Sequence, residues 1–108
     1  MNNIVISQID TLIDSIKNSD VYKEYEMLLN KVSDSEEIKE LTIEIKRLNK
    51  KLVLTPDIEL ENNLKSKEEE LNDIPLYLEY KEKLEELNNL LLIVKNKVEL
   101  FMKDVIID

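Results

Sequence analysis

Three groups of side chains in this sequence have the type and spacing to do chemistry. The first is carboxylate: Glu36-Glu37, Glu68-Glu69-Glu70 and Glu85-Glu86 each crowd acids that could hold a cation or exchange a proton. The second is basic, with Lys46, Arg47, Lys50 and Lys51 close together and Arg47 the only arginine in the chain. The third is aromatic. Tyr22 with Tyr25, and Tyr77 with Tyr80, stand three residues apart and therefore on one face of a helix.

What these groups can do is bounded by what the chain lacks. With no Cys and no His, thiolate and imidazole are both missing. Thiol redox work, Cys-type zinc or iron-sulfur ligation and His-based acid/base catalysis are therefore excluded from this chain alone. A di-metal carboxylate site in a helical bundle draws on Glu-x-x-His pairs, and none can form. The acids read instead as solvated helix faces, with Lys partners at helical spacing such as Glu79 with Lys83 and Glu99 with Lys103. No catalytic residue, metal or cofactor is expected, and the chain reads as non-enzymatic.

The basic group reads in two ways, as a docking patch for an acidic partner or RNA, or as the polar face of a helix countering Glu40 and Glu44. Arginine is enriched among interface hot spots, so Arg47, with Lys46 and Lys50, is the candidate for partner binding. A net charge of −9 spread along the chain opposes binding to a phosphate backbone, and direct nucleic-acid binding is not expected. The tyrosine pairs read as packing anchors at two helix starts, each burying a ring while its hydroxyl reaches a polar partner or water.

The elements that must position these residues are all helical. Val5, Ile9, Leu12, Ile13 and Ile16 mark one face of a first helix ending near Asn18, and Ser19 or Asp20 can restart the chain. Val21, Tyr25, Leu28 and Val32 form a second stripe, after which Ser33 or Asp34 can cap a third helix carrying Ile38, Leu41, Ile45, Leu48 and Leu52. That helix stops before Thr55-Pro56, where Thr55 is expected to cap and Pro56 to take the first position of a fourth. The fourth stripe, Leu60, Leu64 and Leu71, is interrupted by Lys67.

After Asp73-Ile74-Pro75, positions 77, 80, 84, 87, 91, 94, 98, 101 and 105 are all apolar or aromatic at alternating spacings of three and four. A helix over residues 75 to 104 would run about 45 Å, whereas a compact domain of about 100 residues has a radius of gyration near 13 Å. Leu90, Leu92 and Ile93 widen its apolar face further. The expected architecture is all-α: a single helical domain over residues 1–108, an antiparallel bundle of about five helices with a long C-terminal helix. The stripe Leu84, Leu87, Leu91, Val94, Val98 and Phe101 would serve the core and a dimer contact. The longest apolar run, Leu90 to Val94, is too short to span a bilayer, and no secretory signal is legible at the N-terminus, so a cytoplasmic protein without membrane insertion is expected.

The order of these features carries a resemblance. An N-terminal amphipathic helix is followed by Ser19-x-x-Tyr22-x-x-Tyr25. A third helix led by Asp34 and containing Leu41 comes next, then Pro75 followed five residues later by Tyr80 and a long leucine-rich helix. Over essentially its whole length the chain resembles the YlbF/YmcA family of small bacterial regulators. The resemblance implies an all-helical cytosolic protein that associates with itself or with related helical subunits. It also implies a role in competence, sporulation or biofilm formation, in some members beside an RNA endonuclease. Ser19, Tyr22, Tyr25, Pro75 and Tyr80 would then be family packing residues. Two departures stand out: Ile74 precedes Pro75 where the family usually has Asn, and without Cys any iron-sulfur role would need a partner to supply all ligands. The alternative from another class is a structural coiled-coil or phage-type accessory protein whose only activity is oligomerisation.

Overall fold

The computed structural model describes residues 2–107, with side chains from 3 to 104, and these residues fold into five α-helices with no strand among them. They are α1 (Asn2–Lys17), α2 (Asp20–Asp34), α3 (Glu36–Leu54), α4 (Ile58–Asn72) and α5 (Pro75–Ile107). The all-α expectation holds, as does the long last helix. The connections are made without any residue at positive φ among those described, so they rely on caps and prolines alone.

Ser19 closes α1 and opens α2 at once: its hydroxyl donates to the Ile16 carbonyl at 2.6 Å and accepts from the Tyr22 amide at 3.2 Å. The next two caps fall later than the sequence suggests. Asp34 is the last residue of α2, and it is Ser35, in an extended conformation, that accepts from the Ile38 amide and caps α3. Placing the cap at Ser35 sets Glu36 and Glu37 directly in the first turn, where the helix dipole favours them. Thr55 likewise ends α3 rather than starting α4, donating its amide to the Lys51 carbonyl at 2.9 Å. Asp57 caps α4 through the Glu59 amide at 2.9 Å, and Pro56 lies outside the helix. An Asp accepts this bond as a charged group, which makes it the stronger cap. Pro75 occupies the first position of α5, where its missing amide costs nothing.

The chain divides into two compact units, Met27–Lys81 in one, and Met1–Glu26 with Glu82–Asp108 in the other. Helices α2 and α5 each contribute to both. In the first unit α3 and α4 pack as an antiparallel pair, and Ile38, Leu41 and Leu71 form a buried cluster. Val32, Ile45, Ile74, Leu76 and Tyr77 pack around it. Leu48 is the most deeply buried residue of α3, at 1% exposure. Lys67, the intruder in the α4 stripe, is half-buried beside α3, its ammonium 3.7 Å from Glu44 and 3.6 Å from Glu70. A half-buried lysine can lay its alkyl stem along a packed face while its charge reaches carboxylates. In the second unit Val5 and Leu87 are the buried apolar residues.

Candidate interaction surfaces

The carboxylate groups lie on helix surfaces. Glu36, Glu37, Glu68 to Glu70, Glu85 and Glu86 are all solvent-exposed, and among the described residues no three acids converge on a position suited to a metal ion. The lysine partners also differ from those read off the sequence. Lys83 binds Glu24 of α2 at 2.6 Å and Glu86 at 3.0 Å, rather than Glu79, and Glu99 meets Lys95 at 3.9 Å. The Lys83–Glu24 contact joins two helices far apart in sequence. Both carboxylates hold the Lys83 proton, and its pKa is raised above the ordinary lysine value by the hydrogen bond it donates to Glu24 first and by that to Glu86 second, against some opposing desolvation.

The tyrosines form two ring pairs of nearly the same geometry. Tyr22 and Tyr25 have centroids 6.4 Å apart and planes at 39°, and Tyr77 and Tyr80 are 6.1 Å apart at 33°. All four are half-buried, which suits a packing role. The Tyr22 hydroxyl is hydrogen-bonded to Glu26, and that bond, with the Glu26 charge, some burial and Tyr25, raises its pKa. Lys81 sits 5.8 Å over the Tyr77 ring and donates to Asn72 Oδ1 at 3.0 Å, tying the end of α4 to the start of α5. Between these residues and Ile45, Glu68 and Leu71 lies an open cleft of about 300 Å³. Pro75 itself is exposed.

The basic candidates lie on the solvent side of α3. Lys46, Arg47 and Lys50 are exposed, and the Arg47 guanidinium meets Glu44 at 3.6 Å, one turn back on its own helix. Glu44 thus takes both Arg47 and Lys67. An exposed pair of this kind contributes little to stability.

The α5 stripe is covered unevenly. Leu87 is buried and Leu84, Val94 and Val98 are half-buried, but Leu91 and Phe101 remain exposed. Beside them Leu92 and Ile93 are each 53% exposed. On α1, Ile4, Ile6 and Ile13 are exposed as well. A small apolar cleft lies between α1 and α5, lined by Gln8, Ile9 and Leu12 on one side and Lys97, Val98 and Phe101 on the other.

One surface escaped the reading of stripes. Val53, Leu54 and Ile58 stand 84%, 82% and 75% exposed around the α3–α4 connection. A signal was present: Val53 and Leu54 follow Leu52 in the run K-L-V-L-T-P, where a single helical face has room for one of the three.

Among the described residues, no helix is long and apolar enough to cross a membrane. No curated protein and no solved structure matches the chain. A family model does, over residues 5–100, and its description is "Control of competence regulator ComK, YlbF/YmcA". That match takes in all of α2, α3 and α4 and most of α1 and α5, including both tyrosine pairs and Pro75. The family is thus one of regulators, and this five-helix chain belongs to it.

Proposed function

We propose that the protein is a non-enzymatic adaptor in a bacterial developmental pathway, working through contacts with itself or related helical subunits and with a further protein partner. The supporting observation is the run Leu91, Leu92, Ile93, which leaves three adjacent large aliphatics exposed in the middle of the longest helix. Adjacent residues on a helix point about 100° apart. Covering all three takes a neighbour on a broad front, and a second α5 of the same apolar character supplies one. The family's description, control of the regulator ComK, supports a regulatory output from such contacts.

The partner surface in this reading is the solvent face of α3, with Arg47, Lys46 and Lys50. A guanidinium offers a planar fork to a partner carboxylate that an ammonium does not. The chain's net charge of −9 favours a protein partner over RNA itself. A place beside an RNA-processing protein rests on the family resemblance and agrees with that preference. The cytoplasm is the compartment this reading requires.

Sedimentation equilibrium tests self-association directly. The wild-type chain is expected to be a dimer or larger at micromolar concentration, and the double variant Leu92→Glu/Ile93→Glu a folded monomer. A wild-type monomer across that range would defeat the proposal. Retention of the wild-type mass by the double variant would move the contact off α5.

A further inference from the structure

The connection between α3 and α4 presents apolar residues where a small helical protein ordinarily keeps polar ones. Val53, Leu54 and Ile58 are each at least three-quarters exposed, and Pro56 between them is exposed too. Together they offer roughly 400 Å² of apolar surface, the scale at which exposed patches on soluble proteins are often functional. The charges around this tip are sorted by sign. Lys50 and Lys51 lie on the α3 side; Asp57, Glu59 and Glu61 lie on the α4 side, and all five are exposed.

The sorting decides between occupants. A partner carrying one sign of charge would gain on one side of the tip and be repelled on the other. A second copy of this chain, turned by half a rotation about an axis normal to the plane of the hairpin, meets the tip with its own signs exchanged. The end of one α3 then faces the start of the other α4, so that Lys50 and Lys51 of each copy approach Asp57, Glu59 and Glu61 of the other. The backbone dipoles agree with this arrangement, since the C-terminal end of a helix carries partial negative charge and the N-terminal end partial positive. The apolar residues come together at the centre. The geometry points to the α3–α4 tip as a self-complementary contact between two copies of this chain, distinct from the α5 surface.

Two tips would remove roughly 800 Å² of apolar surface from water, below the 1,200 Å² or so of a standard stable interface. The contact is therefore weak by itself and sensitive to salt, because its rim is ionic and exposed. With a separate α5 contact it would link pairs into larger assemblies, each interface being isologous. The tip contact forms without that second contact.

Cross-linking reads it out. The chain has no cysteine, so Leu54→Cys introduces a single thiol, at a position exposed enough to leave the fold intact. Ser66→Cys, exposed in the middle of α4, is the control. Under mild oxidation Leu54→Cys is expected to form disulfide-linked pairs about tenfold faster than Ser66→Cys, and to lose most of that advantage in high salt. Equal rates would overturn the proposal and return the tip to some other partner. Two further variants of Leu54→Cys carry Lys50→Glu/Lys51→Glu or Glu59→Lys/Glu61→Lys. Each alone should cross-link more slowly than the parent, and an equal mixture should give mainly the mixed pair. A statistical mixture, in which mixed pairs make up about half, would refute the charge matching. Adding Leu92→Glu/Ile93→Glu should leave the Leu54 cross-link in place; its loss would show the tip contact to be a consequence of α5 pairing and overturn its independence. Circular dichroism on each variant separates these outcomes from misfolding.

Discussion

Leu48 and Val53 lie five residues apart on the same helix and differ above all in burial: 1% against 84% exposed. Truncating each to Ala makes a matched test of where the core ends. For Leu48→Ala the lost transfer term is about 2.4 kcal/mol, three carbon groups at about 0.8 kcal/mol each. A term for the cavity comes on top, and buried Leu→Ala changes in well-packed proteins span about 2.7 to 5 kcal/mol. With both terms together, about 3 kcal/mol is expected, toward the lower end of that span. Val53→Ala removes two carbons of which less than a fifth of the area is buried, about 0.3 kcal/mol. Alanine's better helix propensity offsets that by a few tenths, and the net change is close to zero. The assay is urea unfolding followed by helical circular dichroism at one low protein concentration, with Cm compared at unchanged slope. In thermal melts a 3 kcal/mol loss would lower Tm by about 12 to 15 °C for a chain of this length. A Leu48→Ala cost below 1 kcal/mol, or a Val53→Ala cost above 1.5 kcal/mol under these conditions, would show that the packing between α3 and α4 has been misassigned.

Three other outcomes are expected. Arg47→Ala should change stability by no more than about 0.5 kcal/mol, as for most exposed positions, while weakening capture of the physiological partner; an Arg47→Ala chain that binds fully would remove α3's basic face from the interaction. Replacing either helix cap, Ser35→Ala or Asp57→Ala, should cost about 1 kcal/mol in urea unfolding, whereas Asp34→Ala and Thr55→Ala should cost clearly less, and the reverse ranking would contradict the observed caps. Stability should fall as pH rises above about 10, since Tyr22 and Lys83 both have raised folded-state pKa values and so hold their protons more tightly folded than unfolded. Lys83→Met and Tyr22→Phe should flatten that decline, and stability that rises through this window would reverse the assigned sign.

The stripes at Ile38, Leu41, Leu48, Leu71 and Leu87 were legible in the sequence because helical periodicity repeats over many turns and a single deviation does not hide it. Caps were less legible. Ser33, Asp34 and Ser35 are all competent to cap, and the choice among them is made by where the following stripe must start, a tertiary matter. Lys67 could be seen as an exception but not explained, because its partner Glu44 lies on another helix. Lys83 with Glu24 was invisible for the same reason. The basic residues could be found by type, yet nothing in their spacing revealed that Arg47 would turn back to Glu44. The exposed aliphatics at 53, 54 and 58 are the opposite case: they belong to no stripe, so helical periodicity by itself carries no signal for them.

The joints between helices are short: two residues after α1, one after α2, three after α3 and two after α4. None uses a left-handed residue among those described, so their side chains are open to replacement wherever a cap or proline survives. Their number is not. Each residue added to a rigid joint or helix end turns whatever follows by about 100° relative to what precedes it, like a tooth skipped on an indexing wheel, and a single insertion after Ser35 would turn Ile38 and Leu41, with the α4 residue Leu71 they pack on, away from Val32 of α2. This chain can therefore do without glycine, while the length of each joint is set by the packing of the helices on either side of it.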